Sequence, residues 1–352
     1  MKKLKFLELY KNKKVLVTGS SGFKGSWLCF WLHLLKANVV GISLKIDIQA
    51  KLFNALELKK KIIQYNVDIK NFKKLNNVIK KEKPDIIFHL AAQSIVSESF
   101  KNPLSTFNTN IIGSANVLES VRKNRIKNLV FITSDKCYLN VEKKKGYKEN
   151  DKLGGHDNYS SSKASAELIF DSYNSSFFKN DYLQHATARA GNVIGGGDFK
   201  INRILPDIIK SLKQKKTITL RNPKATRPWQ HVLEPVFAYL LLGSKLITKK
   251  INKRVSPHWN FGPYPYNCKS VLYITKNVKK IWENNTSKIS ILKNKKFLES
   301  NLLSLNISKA KNELDWKPTL TLKECLELTV NWYKNFFSKD IEISQFTENQ
   351  IK

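Results

Sequence analysis

The sequence predicts a doubly wound α/β fold on a parallel sheet. Three observations carry the prediction. Short apolar runs of strand length alternate with helical patterns through the first half of the chain. A glycine-rich turn joins the first strand to the first helix. Polar residues gather where the strands end, the edge at which open α/β sheets bind ligands.

The first strand is KVLVT (residues 14–18). GSSGFKG (residues 19–25) follows it and leads into SWLCFWLHLL (residues 26–35), an apolar-periodic helix. Glycines at 19, 22 and 25 let the backbone turn tightly and approach a pyrophosphate, whose charge then meets the helix N-terminus. The spacing is GxxGxxG rather than GxGxxG, and its place between strand and helix points to dinucleotide binding. The next strand, NVVGISL (residues 38–44), lacks the acidic end that would hold the 2′-hydroxyl of NAD. Residues 43–45 are Ser, Leu and Lys, so the residues alone leave NAD and NADP both open.

A strand is expected over IIQYNVDI (residues 62–69), a helix over 72–83 and a strand over DIIFHLAAQ (residues 85–93). Asp68, at a strand end, can accept from an adenine amino group or cap the following helix. Ala91 and Ala92 are small enough for close cofactor approach. A long helix over 103–124 carries Asn110 among apolar residues, and a buried mid-helix Asn needs partners. Satisfying the backbone and joining a proton relay are equally open roles for it.

FITSDKCY (residues 131–138) reads as the end of a buried strand followed by polar Ser134, Asp135 and Lys136. YSSSK (residues 159–163) opens a helical pattern over 159–178, so Tyr159 and Lys163 share one face. A phenol ionises at about pH 10, and a lysine cation one turn away, beside an oxidised nicotinamide, is expected to lower it. Strand and helix alternate through 185–193, giving six or seven parallel strands. Beyond Gly195 the pattern breaks into loops and short elements. The expected organisation is a dinucleotide-binding domain over 1–195, an interleaved substrate lobe over 196–338 and a polar, loosely held tail over 339–352.

The formal charge is +34. Its lysines lie in short scattered runs, as at 59–61 and 143–145, with no basic block interleaved with aromatics, so no nucleic-acid partner is expected. Four cysteines with no CxxC spacing indicate neither zinc nor a disulfide framework. A reducing, cytoplasmic setting fits. The N-terminal stretch lacks signal-peptide features, and the longest apolar run, residues 236–242, is too short for a bilayer. No metal and no membrane partner are expected.

TGSSGFKG, FHLAAQS, Asn110, TSD, YSSSK and ARAGNVIGGG together resemble the extended short-chain dehydrogenase/reductase superfamily over roughly residues 10–335. GFKGSWL, TSDKCY, RAGNVIGGGD, RNPKATRPWQHVLEP and WNFGP resemble, within it, the nucleotide-sugar 4,6-dehydratases that act on CDP-glucose. The resemblance implies NAD as cofactor, held by Gly19, Gly22, Phe23, Gly25, Asp68, Ile69, Ala91, Ala92, Gln93, Asn110, Tyr159 and Lys163. It implies catalysis by Ser134, Asp135, Lys136, Tyr159 and Lys163, with Asp135 the acid and Lys136 the base at C5. Related dTDP-glucose and GDP-mannose dehydratases carry Glu where this chain has Lys136. Free lysine and aspartate ionise near about 10.4 and 3.9, the wrong states for those roles at neutral pH. The site must therefore be partly dry or share a proton between them; otherwise the two form a plain ion pair bracing the loop.

Asn192, Arg203, Arg221, Arg227 and His231 fall in stretches similar to the family's substrate site, with Trp229 and His231 orienting their loop and Arg189 bracing the adjacent turn. Ser20 and Ser21 depart from the His-Thr common in relatives. A homo-oligomer is implied, pairing the helices over 103–124 and 159–178.

Overall fold

The computed structural model describes residues 2–178, 183–251, 256–283, 286–292 and 302–352. Among them, seven parallel strands form the central sheet: β1 (Lys14–Thr18), β2 (Asn38–Ser43), β3 (Ile63–Asn66), β4 (Ile86–His89), β5 (Asn128–Ile132), β6 (Gln184–Ala190) and β7 (His258–Phe261). Their spatial order is β7-β6-β5-β4-β1-β2-β3. The chain thus starts mid-sheet and winds outward in both directions, and the strand order reverses between β1 and β4, where ligands bind in such folds. Both faces of the sheet are covered. That is why β1 and β5 read as unbroken apolar runs rather than alternating ones.

One face carries α1 (Phe23–Leu34) and α5 (Leu233–Ile247), packing Trp27, Trp31, Tyr239 and Trp259 into the larger core. The other carries α2 (Phe72–Glu82), α3 (Gly113–Lys123) and α4 (Asn158–Phe177), which enclose Leu75, Val117, Leu118 and Phe170.

Three elements differ from expectation. The helix expected over 103–124 is interrupted by a π-helical turn at Asn108–Ile112, which rotates Asn110 into the interior. π-turns of this kind mark functional sites. The strands expected over 62–69 and 85–93 stop at Asn66 and His89, leaving their polar and small ends as loops on the ligand edge. The tail is not loose. Residues 343–351 form α7 (Ile343–Ile351), where Trp332 of α6 (Leu322–Ser338) donates to Thr347 at 2.8 Å and Phe346 and Ile351 pack on the core. Its apolar residues are few but lie on one side, a stripe that the polar composition hides.

Candidate active site

A cleft of about 1090 Å³ runs along the carboxyl edge of the sheet, lined in its first half by Gly19, Gly22, Phe23, Gly25, Asp68, Ile69, Ala91, Ala92 and Gln93. Gly19 has φ +75°, and a Cβ there would stand 2.8 Å from the Ala91 backbone nitrogen. At Gly25 a Cβ would fall 2.0 Å from the Gly19 carbonyl oxygen, so the first turn of α1 packs directly on the loop. The first N–H groups of a helix have no intrahelical partner, the arrangement that receives a phosphate. Asp68 takes the backbone N–H of Lys70 at 2.9 Å, while the cap of α2 is Asn71, so Asp68 does not cap the helix. The end of β2 offers Ser43, bonded by the Gln64 amide at 3.1 Å, and an exposed Lys45, with no carboxylate. A glycine turn, an open helix end and two small alanines fit a dinucleotide.

Asn110 is fully partnered. Its Oδ1 accepts from the Gln93 N–H at 2.8 Å, and its Nδ2 donates to the Gln93 carbonyl at 3.0 Å and to Ser162 Oγ at 2.9 Å. It ties the Gln93 loop to α4.

The second half of the cleft brings together Ser134, Asp135, Lys136, Tyr159 and Lys163. Asp157 caps α4 by accepting from the Ser160 N–H at 2.9 Å, which sets Tyr159 and Lys163 on its buried face. Burial lowers Lys163 to about 8. Burial pushes Tyr159 up to about 12, opposed by the Arg203 charge and a Ser134 hydrogen bond. Asp135 is 3% exposed. Its Oδ1 accepts from Ser134 Oγ at 2.9 Å, whereas Oδ2 is buried with no hydrogen-bond partner, so no bonded Asp–Lys pair braces the loop. Burial raises the Asp135 pKa, against Lys136, the Ser134 bond, Arg227 and Lys24. Lys136 is half-buried on the same wall.

Beneath this loop lies a group of paired charges that sequence reasoning missed. Arg189 forks onto Glu167 of α4, Nε to Oε1 at 3.0 Å and Nη2 to Oε2 at 2.8 Å. Its Nη1 donates to the Tyr138 hydroxyl at 2.7 Å and the Glu149 carbonyl at 2.8 Å. Thr133 donates to Glu167, and His258 approaches Glu167 at 3.3 Å and Asp171 at 3.0 Å. Arg189 therefore braces α4 and the loop after β5 rather than an adjacent turn. Burial would raise Glu167, but the Arg189 guanidinium and His258 hold it well below the carboxylate range.

The far wall carries Asn192, Arg203, Arg221, Arg227 and Trp229. Arg203 spans the cleft, donating to Asp198 at 2.8 Å and to Ser94 at 2.8 Å. Arg221 donates to Asn202 at 2.7 Å and Arg227 to the Thr226 carbonyl at 2.8 Å. His231 is misplaced by the sequence reading. It is wholly buried, edge-on to Trp27 at 6.1 Å, because its two-residue strand Gln230–His231 pairs with Val193–Ile194 and turns the ring into the core. Lys24 and Ser94 were missed; the only signal for Lys24 was a lysine inside the glycine turn.

Sheet order, glycine turn and the paired Tyr159 and Lys163 define an extended short-chain dehydrogenase/reductase of the sugar-nucleotide epimerase and dehydratase class. A family model described as GDP-mannose 4,6 dehydratase matches residues 16–329, and the chain belongs to that family. It is 41% identical over 331 residues to the CDP-glucose 4,6-dehydratase of Salmonella typhimurium, covering 92% of this chain and 91% of that one. Among solved structures, the epimerase Mth375 of Methanothermobacter thermautotrophicus superposes with TM-score 0.81 at 22% identity, covering 96% of each chain. The dTDP-glucose 4,6-dehydratase of Bacillus anthracis, solved with NAD, gives TM-score 0.76 at 23% identity over 95% of this chain and 99% of that one.

Proposed function

We propose that this protein is an NAD-dependent hydro-lyase that converts CDP-glucose to CDP-4-dehydro-6-deoxyglucose and water, a step toward deoxysugars of lipopolysaccharide or related polysaccharides. The observation that carries the dehydratase reading is Asp135. It is a buried carboxyl with one free oxygen, raised in pKa, on the same cleft wall as Ser134, Tyr159 and Lys163. A 4-epimerase needs the tyrosine and lysine but no acid beside Ser134. The CDP base rests on the Salmonella relative.

NAD, when bound in the first half of the cleft, supplies the acceptor for the C4 hydride and its donor to C6. Tyr159 takes the proton of the 4-hydroxyl, with Ser134 bonding the same oxygen and Lys163 favouring the phenolate. The 4-ketone acidifies C5. Lys136 removes the C5 proton, Asp135 protonates the 6-hydroxyl, the C6–O bond breaks, and water leaves as the C5–C6 double bond forms; once C6 has taken the hydride, Lys136 returns a solvent-exchanged proton to C5. Arg203, Arg221 and Arg227, with Asn192, supply donors for the nucleotide pyrophosphate.

Of the lobe expected over 196–338, residues between Asp198 and Trp229, with Val271 and Leu292, line the cleft. No helix among the described residues is long and apolar enough to cross a membrane, and a cytoplasmic location matches a soluble sugar nucleotide. Exposed Leu104, Ile112, Leu168 and Phe177 on the helices around α3 and α4 support a homo-oligomer, which sedimentation would test.

The deciding experiment is incubation with NAD and CDP-glucose in deuterated water. The expected product is a 4-keto-6-deoxy sugar with deuterium at C5. Inversion at C4 without loss of water would make the protein an epimerase, and turnover of dTDP- or GDP-sugars instead would overturn the CDP assignment.

A further inference from the structure

Gly191 stands between β6 and the strand Val193–Ile194 and has no part in the chemistry above. Its backbone does not require glycine. Positive φ occurs at Gly19, Gly146, Gly154 and Gly197 but not at 191. The surroundings require it instead. A Cβ at 191 would stand 2.9 Å from Asp135 Oδ2 and 3.2 Å from Pro228 Cγ, tighter than ordinary van der Waals contact on both sides. Gly191 and Asp135 both line the cleft.

Which neighbour would yield to a side chain at 191 follows from how each is held. The backbone of residue 191 is fixed on both sides: Ala190 pairs with Phe261 in the central sheet, and Val193–Ile194 pairs with Gln230–His231. Pro228 is fixed as well, since it pairs with Cys268 and the adjoining Trp229 donates to the Lys269 carbonyl at 2.8 Å. The Asp135 carboxyl is the free end of a rotatable side chain, tethered by the Ser134 hydroxyl to Oδ1 at 2.9 Å. Asp135 is therefore the group that gives way. As the molecule stands, its Oδ2 is buried with no hydrogen-bond partner, beside the bare Cα of Gly191 and with the Pro228 ring bounding the same gap. Neither neighbour offers a conventional donor, so an ionised carboxyl in that seat would go unsolvated and the protonated acid is the form that suits it.

We propose that Gly191 is a positioning residue for the elimination step: the gap left by its missing side chain is the seat of the Asp135 carboxyl, and a larger residue there turns the acid away from the 6-hydroxyl while Tyr159 and Lys163 stay in place. The catalytic consequence rests on the dehydratase reading, whereas the seat itself does not. When the C6–O bond breaks, its electron pair stays on oxygen and needs the proton from Asp135 at that moment. An acid displaced by about an ångström delivers it poorly, with losses on the order of 10²-fold. Oxidation at C4 makes no use of Asp135 and is spared.

The test is Gly191→Ala, read in two ways. In a single turnover with NAD and CDP-glucose, reduced cofactor should form at a near wild-type rate while the dehydrated product appears about 10²-fold more slowly. In the Asp135→Asn background, where no acid remains to be displaced, adding Gly191→Ala should slow water loss little further. The second reading needs no substrate. Gly191→Ala should lower the thermal unfolding midpoint of the wild-type protein, and that drop should largely disappear in the Asp135→Ala background, where the crowded side chain is gone. Should Gly191→Ala alone fail to fold, its recovery by Asp135→Ala carries the same support, and failure of both to fold overturns the proposal. Equal losses of oxidation and elimination, no loss of either, or an equal midpoint drop in both backgrounds would also overturn it. Absence of dehydrated product from wild-type protein would instead overturn the dehydratase reading, with the unfolding comparison still deciding whether Gly191 seats Asp135.

Discussion

Two sets of charges meet α4 about a turn apart, at Lys163 and at Glu167, and they differ in one respect. Glu167 meets Arg189, Thr133 and His258, so each oxygen has a donor. Asp135 and Lys163 are nearly as enclosed but incompletely partnered, and each is shifted toward its neutral form. Pairing fixes charge and geometry, whereas burial without pairing leaves a group ready to move a proton. The first set is scaffold. The second carries the proposed chemistry, and the residues between 159 and 167 connect the two.

The contrast is broken most severely at Arg189. Arg189→Met strands the Glu167 charge and should cost about 3–5 kcal/mol of stability in denaturant unfolding, with activity lost through the displaced loop. Tyr159→Phe should do the reverse: kcat falls by about 10²–10⁴-fold, while the unfolding midpoint holds or rises. Asp135→Asn sharpens the division within the site. Water loss should drop by about 10²-fold with C4 oxidation retained, and stability should hold or rise because a buried uncompensated carboxyl is gone.

The smallest effect is expected at His258. Burial lowers its pKa, but bonds to Asp171 and Glu167 win and raise it overall. A group raised in the folded state contributes stability that is complete below its unfolded value, about 6.5, and is lost as pH climbs through the folded one. Wild-type stability should therefore decline across that window more than that of His258→Gln, as measured by denaturant midpoints at stepped pH.

The legible features were those with local causes. A glycine turn after a strand needs only its own residues, and Tyr159 with Lys163 needs only the helical period. Both stand where the pattern put them. The paired charges were illegible because Glu167, Arg189 and His258 are brought together by three separate elements, and nothing in the string near Arg189 distinguishes a brace of α4 from a brace of its own turn. His231 sat in a stretch read as one binding loop, but a two-residue pairing with Val193–Ile194 turned it inward. The short C-terminal helix hid in a polar stretch because its apolar stripe has few members.

Arg203 holds Asp198 with one arm and Ser94 with the other, across the mouth between the two halves of the cleft. A long side chain free in solvent surrenders much rotamer freedom when it first grips an anion. This one has surrendered it during folding. Under the proposed function, an incoming anion would find a guanidinium already aimed and trade a hydroxyl contact for its own, so much of the ordering cost of capture would fall on folding rather than on the encounter.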